Sequence, residues 1–281
     1  MIAFRPEPRI PKNLHATSAP SLAEADTSRT SFVVRRPLVL LNGLAGQEES
    51  WYRNVGVWRH YFDIYQPNLI AYEGAALHRR IEEGQPIDID YLTQRLYEYL
   101  DGFVQRPPYH VVASSVGGKV AIEFTARHPE LVRRLVLLSP SGLSEQEHMP
   151  VLNGVRRNDF QLVVESVFND PANVDPMIVR YYQQCLASRR WRIGVLRTIR
   201  GTTGHIVRDR LPCVMRPTLL IVGKQDRIVN PCDSIAAARL LPFGTLVELD
   251  ACGHAPQVEQ ADIVNELVVD FLSQAEPTPC G

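Results

Sequence analysis

Tyr109-His110-Val111-Val112-Ala113-Ser114-Ser115-Val116-Gly117-Gly118 decides how the rest of the chain is read. Its first half is a short, β-branched apolar run of the kind that forms a buried strand, and it passes through small residues straight into the helical pattern of Val116 to Arg127. A strand that turns into a helix this abruptly strains the residue at the corner and exposes its side chain. The positions two before and two after that corner must be small for strand and helix to close. Centred on Ser115 those positions are Ala113 and Gly117, which fit; centred on Ser114 they are Val112 and Val116, which do not. Ser115 is therefore a candidate nucleophile, the alternative being an ordinary serine in a tight turn. Gly118-Lys119 matches the end of a phosphate-binding G-x-x-x-x-G-K-[ST] loop. That loop needs Gly at Ala113 and a hydroxyl at Val120, and both are missing.

Outward from this corner the same rhythm repeats. Leu38 to Leu41, Phe62 to Tyr65, Leu135 to Leu138, Thr218 to Val222 and Leu246 to Leu249 read as further strands, bounded by Gly, Pro or Asn and buried on both faces. Helical patterns lie between them at Trp51 to Tyr61, Asp90 to Val104, Ser234 to Leu241 and Ala261 to Ser273. The alternation predicts an α/β fold, a mostly parallel twisted sheet flanked by helices. Residues 143–212 break the rhythm with helical patterns alone and read as an inserted helical cap, which divides the core into 31–142 and 213–275. Residues 1–30, rich in Pro, Ser, Thr and Ala, read as an N-terminal arm, and 276–281 as a C-terminal tail.

The cap is charged unevenly. Glu145, Glu147, Asp159, Glu165, Asp170 and Asp175 fall in its first part; Arg180, Arg189, Arg190, Arg192, Arg197, Arg200, Arg208 and Arg210 fall in its second. Either the halves pair with each other, or the basic half draws in an anionic substrate or lipid head group.

With 30 Lys and Arg against 31 Asp and Glu, the net charge of −1 predicts no bulk attraction to nucleic acid. Cys185, Cys213, Cys232, Cys252 and Cys280 are odd in number and never spaced as C-x-x-C, which excludes a disulfide framework and a zinc ribbon. The prolines among the first thirty residues leave no apolar centre for a signal peptide. Nor does any stretch approach the ~18 apolar residues that span a bilayer. A cytoplasmic protein without stable membrane insertion is expected; oligomeric state stays open.

Two more signals follow predicted strands. Asp226, in Gly223-Lys224-Gln225-Asp226-Arg227-Ile228-Val229, can orient an imidazole or close an Asx turn. His254, in Cys252-Gly253-His254-Ala255-Pro256, is by itself an ordinary loop histidine. Together, Ser115, Asp226 and His254 stand in that chain order, each just past a buried strand, where open α/β sheets place their sites. No strand ends in G-x-G-x-x-G, and the histidines form no H-E-x-x-H, so neither a dinucleotide cofactor nor a metal is expected.

Leu40-Leu41-Asn42-Gly43, the corner at Ser115, Asp226-Arg227-Ile228-Val229 and Gly253-His254-Ala255-Pro256 together resemble the α/β-hydrolase superfamily over about Pro37 to Leu272. Members usually have His-Gly in place of Asn42-Gly43, and a Gly-rich turn ending in Ser where this chain runs Ala71-Tyr72-Glu73-Gly74 into Leu77-His78-Arg79-Arg80. The resemblance implies a cofactor-independent serine hydrolase, foremost a carboxylic-ester hydrolase that forms an acyl-enzyme on a small-molecule ester or related acyl substrate. Ser115 would be nucleophile, His254 base and Asp226 its orienting carboxylate, with the backbone N–H groups of Leu44 and Val116 as oxyanion hole. Haloalkane dehalogenases and epoxide hydrolases carry Asp at the position of Ser115, which argues against both. Carbon–carbon hydrolases of ring-fission products keep the Ser and use a cap Arg, for which Arg189, Arg190 or Arg192 beside Trp191 are candidates; they usually have Trp where this chain has Ala255. A non-catalytic ligand-binding member is the other alternative. Trp191, Tyr181 and Tyr182 read as cap packing.

Overall fold

A computed structural model describes residues 35–44, 48–69, 79–80, 82–144 and 150–275. The predicted arm and tail, the segment from Ala71 to His78, Glu145, Glu147 and Cys280 lie outside the described residues.

Six strands form one sheet: β1 (Arg36–Leu41), β2 (Phe62–Tyr65), β3 (Tyr109–Ser114), β4 (Val132–Leu138), β5 (Thr218–Gly223) and β6 (Gly244–Leu249). They lie in the order β2-β1-β3-β4-β5-β6, and every pairing is parallel. The described helices include α1 (Val55–Trp58), α2 (Ile89–Tyr99), α3 (Val116–Arg127), α4 (Pro150–Arg157), α5 (Phe160–Val167), α6 (Pro176–Ala187), α7 (Arg189–Thr202), α8 (Pro231–Ala238), α9 (Pro256–Glu259) and α10 (Ala261–Ser273). The predicted α/β fold is the observed one.

Strand alternation sorts the core into two layers. Val39, Leu41, Val111, Ala113, Leu135 and Leu137 face α2 and α3 on one side; Leu38, Leu40, Val112, Val136 and Leu138 face α1 and α10 on the other. Each fully buried Val, Leu or Ile contributes roughly 1.5–3 kcal/mol. The four central strands therefore anchor the sheet. The end strands depart from the expectation of burial on both faces: β2 is only partly covered, and most of β6 is exposed or half-buried. An edge strand has a neighbour on one side alone.

Helices α4 to α7 lie between β4 and β5. Val155, Leu186, Trp191, Val195 and Ile199 from these helices are buried in the same cluster as α2 and α3.

Three predicted helices differ in extent. Trp51 to Tyr61 is not one helix but a 3-10 turn, Glu48–Trp51, followed by the short α1. Between them the buried Asn54 turns its side-chain amide away to donate to Asn265 Oδ1 at 2.9 Å. Trp51 and Trp58, one on each of these turns, are both fully buried. Helix α2 ends at Tyr99 in a wider π turn, Leu100–Val104, closed by Gln105 in the left-handed region at φ 51°. Helix α8 begins earlier than expected because Asn230 caps it, accepting from Cys232 N at 2.9 Å, with Pro231 at its first position. Among the described residues, no helix is long and apolar enough to cross a membrane.

Because every strand runs the same way, the carboxyl ends of β3, β5 and β6 share one rim. Residues separated widely in sequence meet there.

Candidate active site

The strained corner is at Ser115, whose φ of 51° and ψ of −118° lie in a region that residues with a side chain rarely adopt. Three backbone bonds hold it. Ser115 N donates to the Leu138 carbonyl at 3.0 Å, and its own carbonyl accepts from Gly118 N at 2.9 Å and Ser141 N at 3.2 Å. The demand for a small residue at position 117 has a direct cause: a Cβ there would stand 2.6 Å from the carbonyl oxygens of Leu41 and Asn42. Only glycine lets α3 begin so close to the end of β1.

Asp226 follows β5 and does both jobs foreseen for it, one with each oxygen. Oδ1 accepts from Ile228 N at 2.8 Å and Val229 N at 3.0 Å, closing the turn, while Oδ2 lies 2.8 Å from His254 Nδ1. Burial alone would raise its pKa, but the His254 imidazole and the two backbone N–H groups hold the carboxyl below the ordinary carboxylate range. A carboxylate only accepts, so Nδ1 carries the ring proton and Nε2 offers a lone pair. Nε2 lies 2.9 Å from Ser115 Oγ, whose hydroxyl can donate to it. The structure thus brings Ser115, His254 and Asp226 into one hydrogen-bonded chain.

A residue outside the sequence reading holds the histidine loop. Glu259, at the end of α9, accepts from Gly253 N at 2.9 Å and Ala255 N at 3.4 Å through Oε1, and from Asn169 N at 2.7 Å through Oε2. His254 N in turn donates to the Val167 carbonyl at 2.8 Å. The loop is therefore tied to the segment after α5. Burial pushes the Glu259 carboxyl up, against the pull of these backbone donors. The one available signal was a carboxylate five residues beyond His254.

Ser115 and His254 open into a cavity with about 940 Å³ of atom-free space, its mouth included. Leu44 and Val116 line it beside Ser115, as do Val167, Phe168, Ile228 and Val258. Asn42, in the place of the usual His, is held by a hydrogen bond from Trp51 Nε1. Lys119, fully buried one helical turn beyond Ser115, also reaches the wall and donates from Nζ to the Thr202 carbonyl at 3.1 Å.

The expectations for residues 143–212 meet different outcomes. Tyr182 lines the cavity rather than serving packing alone, and burial pushes its hydroxyl up to about 12. Trp191 does pack, at 5% exposure within the main core. Arg192 is spent on the Leu186 carbonyl and on Asn158 Oδ1, and the described residues lining the cavity do not include Arg189, Arg190 or Arg192. Arg210 reaches the buried Glu123 of α3 at 3.1 Å. Among the described residues, no group of three or more His, Cys, Asp or Glu could hold a metal ion.

A parallel sheet with a strained serine corner and this hydrogen-bonded chain at its rim defines a hydrolase-type α/β protein. The chain belongs to the alpha/beta hydrolase family, whose family model matches residues 38–267. Among curated relatives it is 23% identical over 271 residues to Lipase 1 of Psychrobacter immobilis, covering 89% of this chain and 80% of that one. It is 23% identical over 254 residues to the 2-hydroxy-6-oxo-6-(2'-aminophenyl)hexa-2,4-dienoic acid hydrolase of Metapseudomonas resinovorans, covering 85% and 84%. Among solved structures, the meta-cleavage product hydrolase of Pseudomonas fluorescens superposes with a TM-score of 0.72 at 20% identity, over 84% of this chain and 90% of that one. The family and these relatives make the protein a hydrolase.

Proposed function

We propose that the protein is a cofactor-independent serine hydrolase of carboxylic esters, with 143–212 as a cap over its acyl pocket. The observation that carries this reading is the chain Asp226 Oδ2, His254 Nδ1, His254 Nε2, Ser115 Oγ, with links of 2.8 and 2.9 Å. In the proposed reaction Ser115 Oγ attacks the ester carbonyl carbon as His254 Nε2 takes its proton. The oxyanion sits against the backbone N–H groups of Leu44 and of Val116, the latter in the first turn of α3, where N–H groups lack intrahelical acceptors. Collapse of the adduct breaks the carbon–oxygen bond to the alcohol, which leaves with the proton from His254. Water then attacks the acyl-enzyme with His254 as base, releasing the acid and restoring Ser115. Asp226 fixes the tautomer and stabilises the imidazolium formed in each half.

Ester cleavage is preferred to carbon–carbon cleavage of a dienoate because the arginines expected to anchor that substrate's carboxylate do not line the cavity. The test is turnover across an acyl ester series run beside a dienoate ketone, with wild-type and Ser115→Ala protein. We expect ester turnover that the variant loses; full ester turnover by Ser115→Ala, or turnover of the ketone alone, contradicts the reading.

A further inference from the structure

The backbone of His254 is held by three consecutive N–H groups. Those of Gly253 and Ala255, on either side of it, donate to Glu259 Oε1, and its own donates to the Val167 carbonyl. The other carboxylate oxygen of Glu259 accepts from Asn169 N at 2.7 Å, and the Asp170 N–H donates to the same carboxylate. One side chain thus joins two stretches that β5 and β6 separate in sequence. They touch without a spacer: a Cβ added at Gly253 would stand 2.7 Å from Asn169 N and 2.8 Å from the Val167 oxygen. Val167 and Phe168, in the stretch so clamped, line the cavity.

The clamp has a firm base. Glu259 ends α9, whose Gln257 and Val258 line the cavity and whose Val258 carbonyl accepts from Arg53 Nη1 at 2.8 Å. Donors converge on the Glu259 side chain from two sides, and a carboxylate is the group that only accepts. A glutamine offers one oxygen and one NH2, so whichever way it turns, one set of backbone N–H groups meets another donor. Buried donors left without an acceptor are costly.

What the clamp serves follows from the ester-hydrolase reading, on which this inference rests. During acylation His254 Nε2 takes the proton of Ser115 Oγ and then gives it to the alcohol oxygen as the carbon–oxygen bond breaks. Each transfer needs a heavy-atom separation of about 2.6–3.2 Å. The ring's bonds to Asp226 and Ser115 set the first of these. We propose that Glu259 is a positioning residue for the second: by locking the His254 backbone to residues 167–169, it makes the imidazole and the cavity wall of Val167 and Phe168 move as one. A substrate seated against that wall then keeps its departing oxygen within reach of Nε2.

The test is kcat/KM, which reports acylation, for the ethyl and 4-nitrophenyl esters of one acid in wild-type, Glu259→Gln and Gly253→Ala protein. 4-Nitrophenolate leaves without a proton, whereas the ethyl ester's alcohol oxygen must receive one from His254. We expect Glu259→Gln to lower kcat/KM by about 10²-fold on the ethyl ester, and by at least about fivefold less on the nitrophenyl ester. Gly253→Ala, which pries the same two stretches apart with the carboxylate in place, should show the same bias. A folded Glu259→Gln protein that loses both activities equally, or loses neither, overturns the proposal, while Ser115-dependent turnover leaves the ester-hydrolase reading standing. If only Gly253→Ala folds, its bias decides in the same way. If neither folds, amide exchange in the wild type decides: Gly253 and Asn169 N–H groups protected together support the clamp, and fast exchange of either overturns it. Absence of wild-type turnover on both esters overturns the underlying reading, and this one with it.

Discussion

His254 and His110 are both buried, yet one is held by partners and the other by packing. At the sheet's carboxyl rim, His254 is bonded through both ring nitrogens. At the second residue of β3, His110 has neither nitrogen paired among the described residues and stacks edge-on against Phe62 at 5.6 Å between ring centroids. The difference follows from location. Inside a parallel sheet the backbone is committed to its ladder and the side-chain layer is apolar, so an imidazole finds nothing to bond and survives only by staying neutral. Burial, then the charges of Arg133, Arg36 and Arg134, push His110 down to about 3. At the rim, loops leave the sheet and bring donors and acceptors from far along the chain.

The contrast breaks first at Asp226. Asparagine there still accepts from Ile228 N and Val229 N, so the turn survives, but its side-chain N–H can donate to His254 Nδ1. The ring proton then moves to Nε2, which can no longer take a proton from Ser115. We expect Asp226→Asn to lower kcat by about 10³-fold or more with the fold intact. Steady-state kinetics beside a circular dichroism melt check this, and a loss of less than tenfold would show that the rim histidine does not depend on its carboxylate.

A smaller effect sharpens the other side. His110 is neutral in the folded chain down to about pH 3 but charges near pH 6.5 once unfolded. Between those values the unfolded state binds more protons, so the stability is complete above about pH 6.5 and drains away as pH falls toward 3, by up to about 1.4 kcal/mol per pH unit. His110→Leu removes this term. Urea unfolding at pH 7 and pH 4.5 should show a fall in stability about 2 kcal/mol smaller in the variant than in wild type. Equal falls would mean that His110 takes up its proton without unfolding.

The same division governs what the sequence makes legible. Strands β1, β3, β4 and β5 could be read because their residues are apolar on both faces, and Ser115, Asp226 and His254 because each stands directly past a strand. Local patterns settle such positions. Glu259 escaped because one of its partners, Asn169, lies between β4 and β5, on the far side of β5 and β6 in sequence. Tyr182 and Gln257 escaped for a related reason: which face of an inserted helix or short turn lines a cavity depends on packing between segments. The single helix expected at Trp51 failed because Asn54 satisfies its amide across the core with Asn265, a partner more than two hundred residues away. The arginine-rich stretch from Arg180 to Arg210 stayed open because a charge count does not say whether a guanidinium faces the cavity, the backbone or the core carboxyl of Glu123.

The most direct measurement is peptide mass after treating the native protein with a fluorophosphonate, which phosphonylates a serine only when a neighbouring base activates it. The account predicts one adduct, on Ser115, absent in Ser115→Ala and strongly slowed in His254→Ala. An adduct on another serine, or a Ser115 that stays unmodified in the folded wild-type protein, would contradict it.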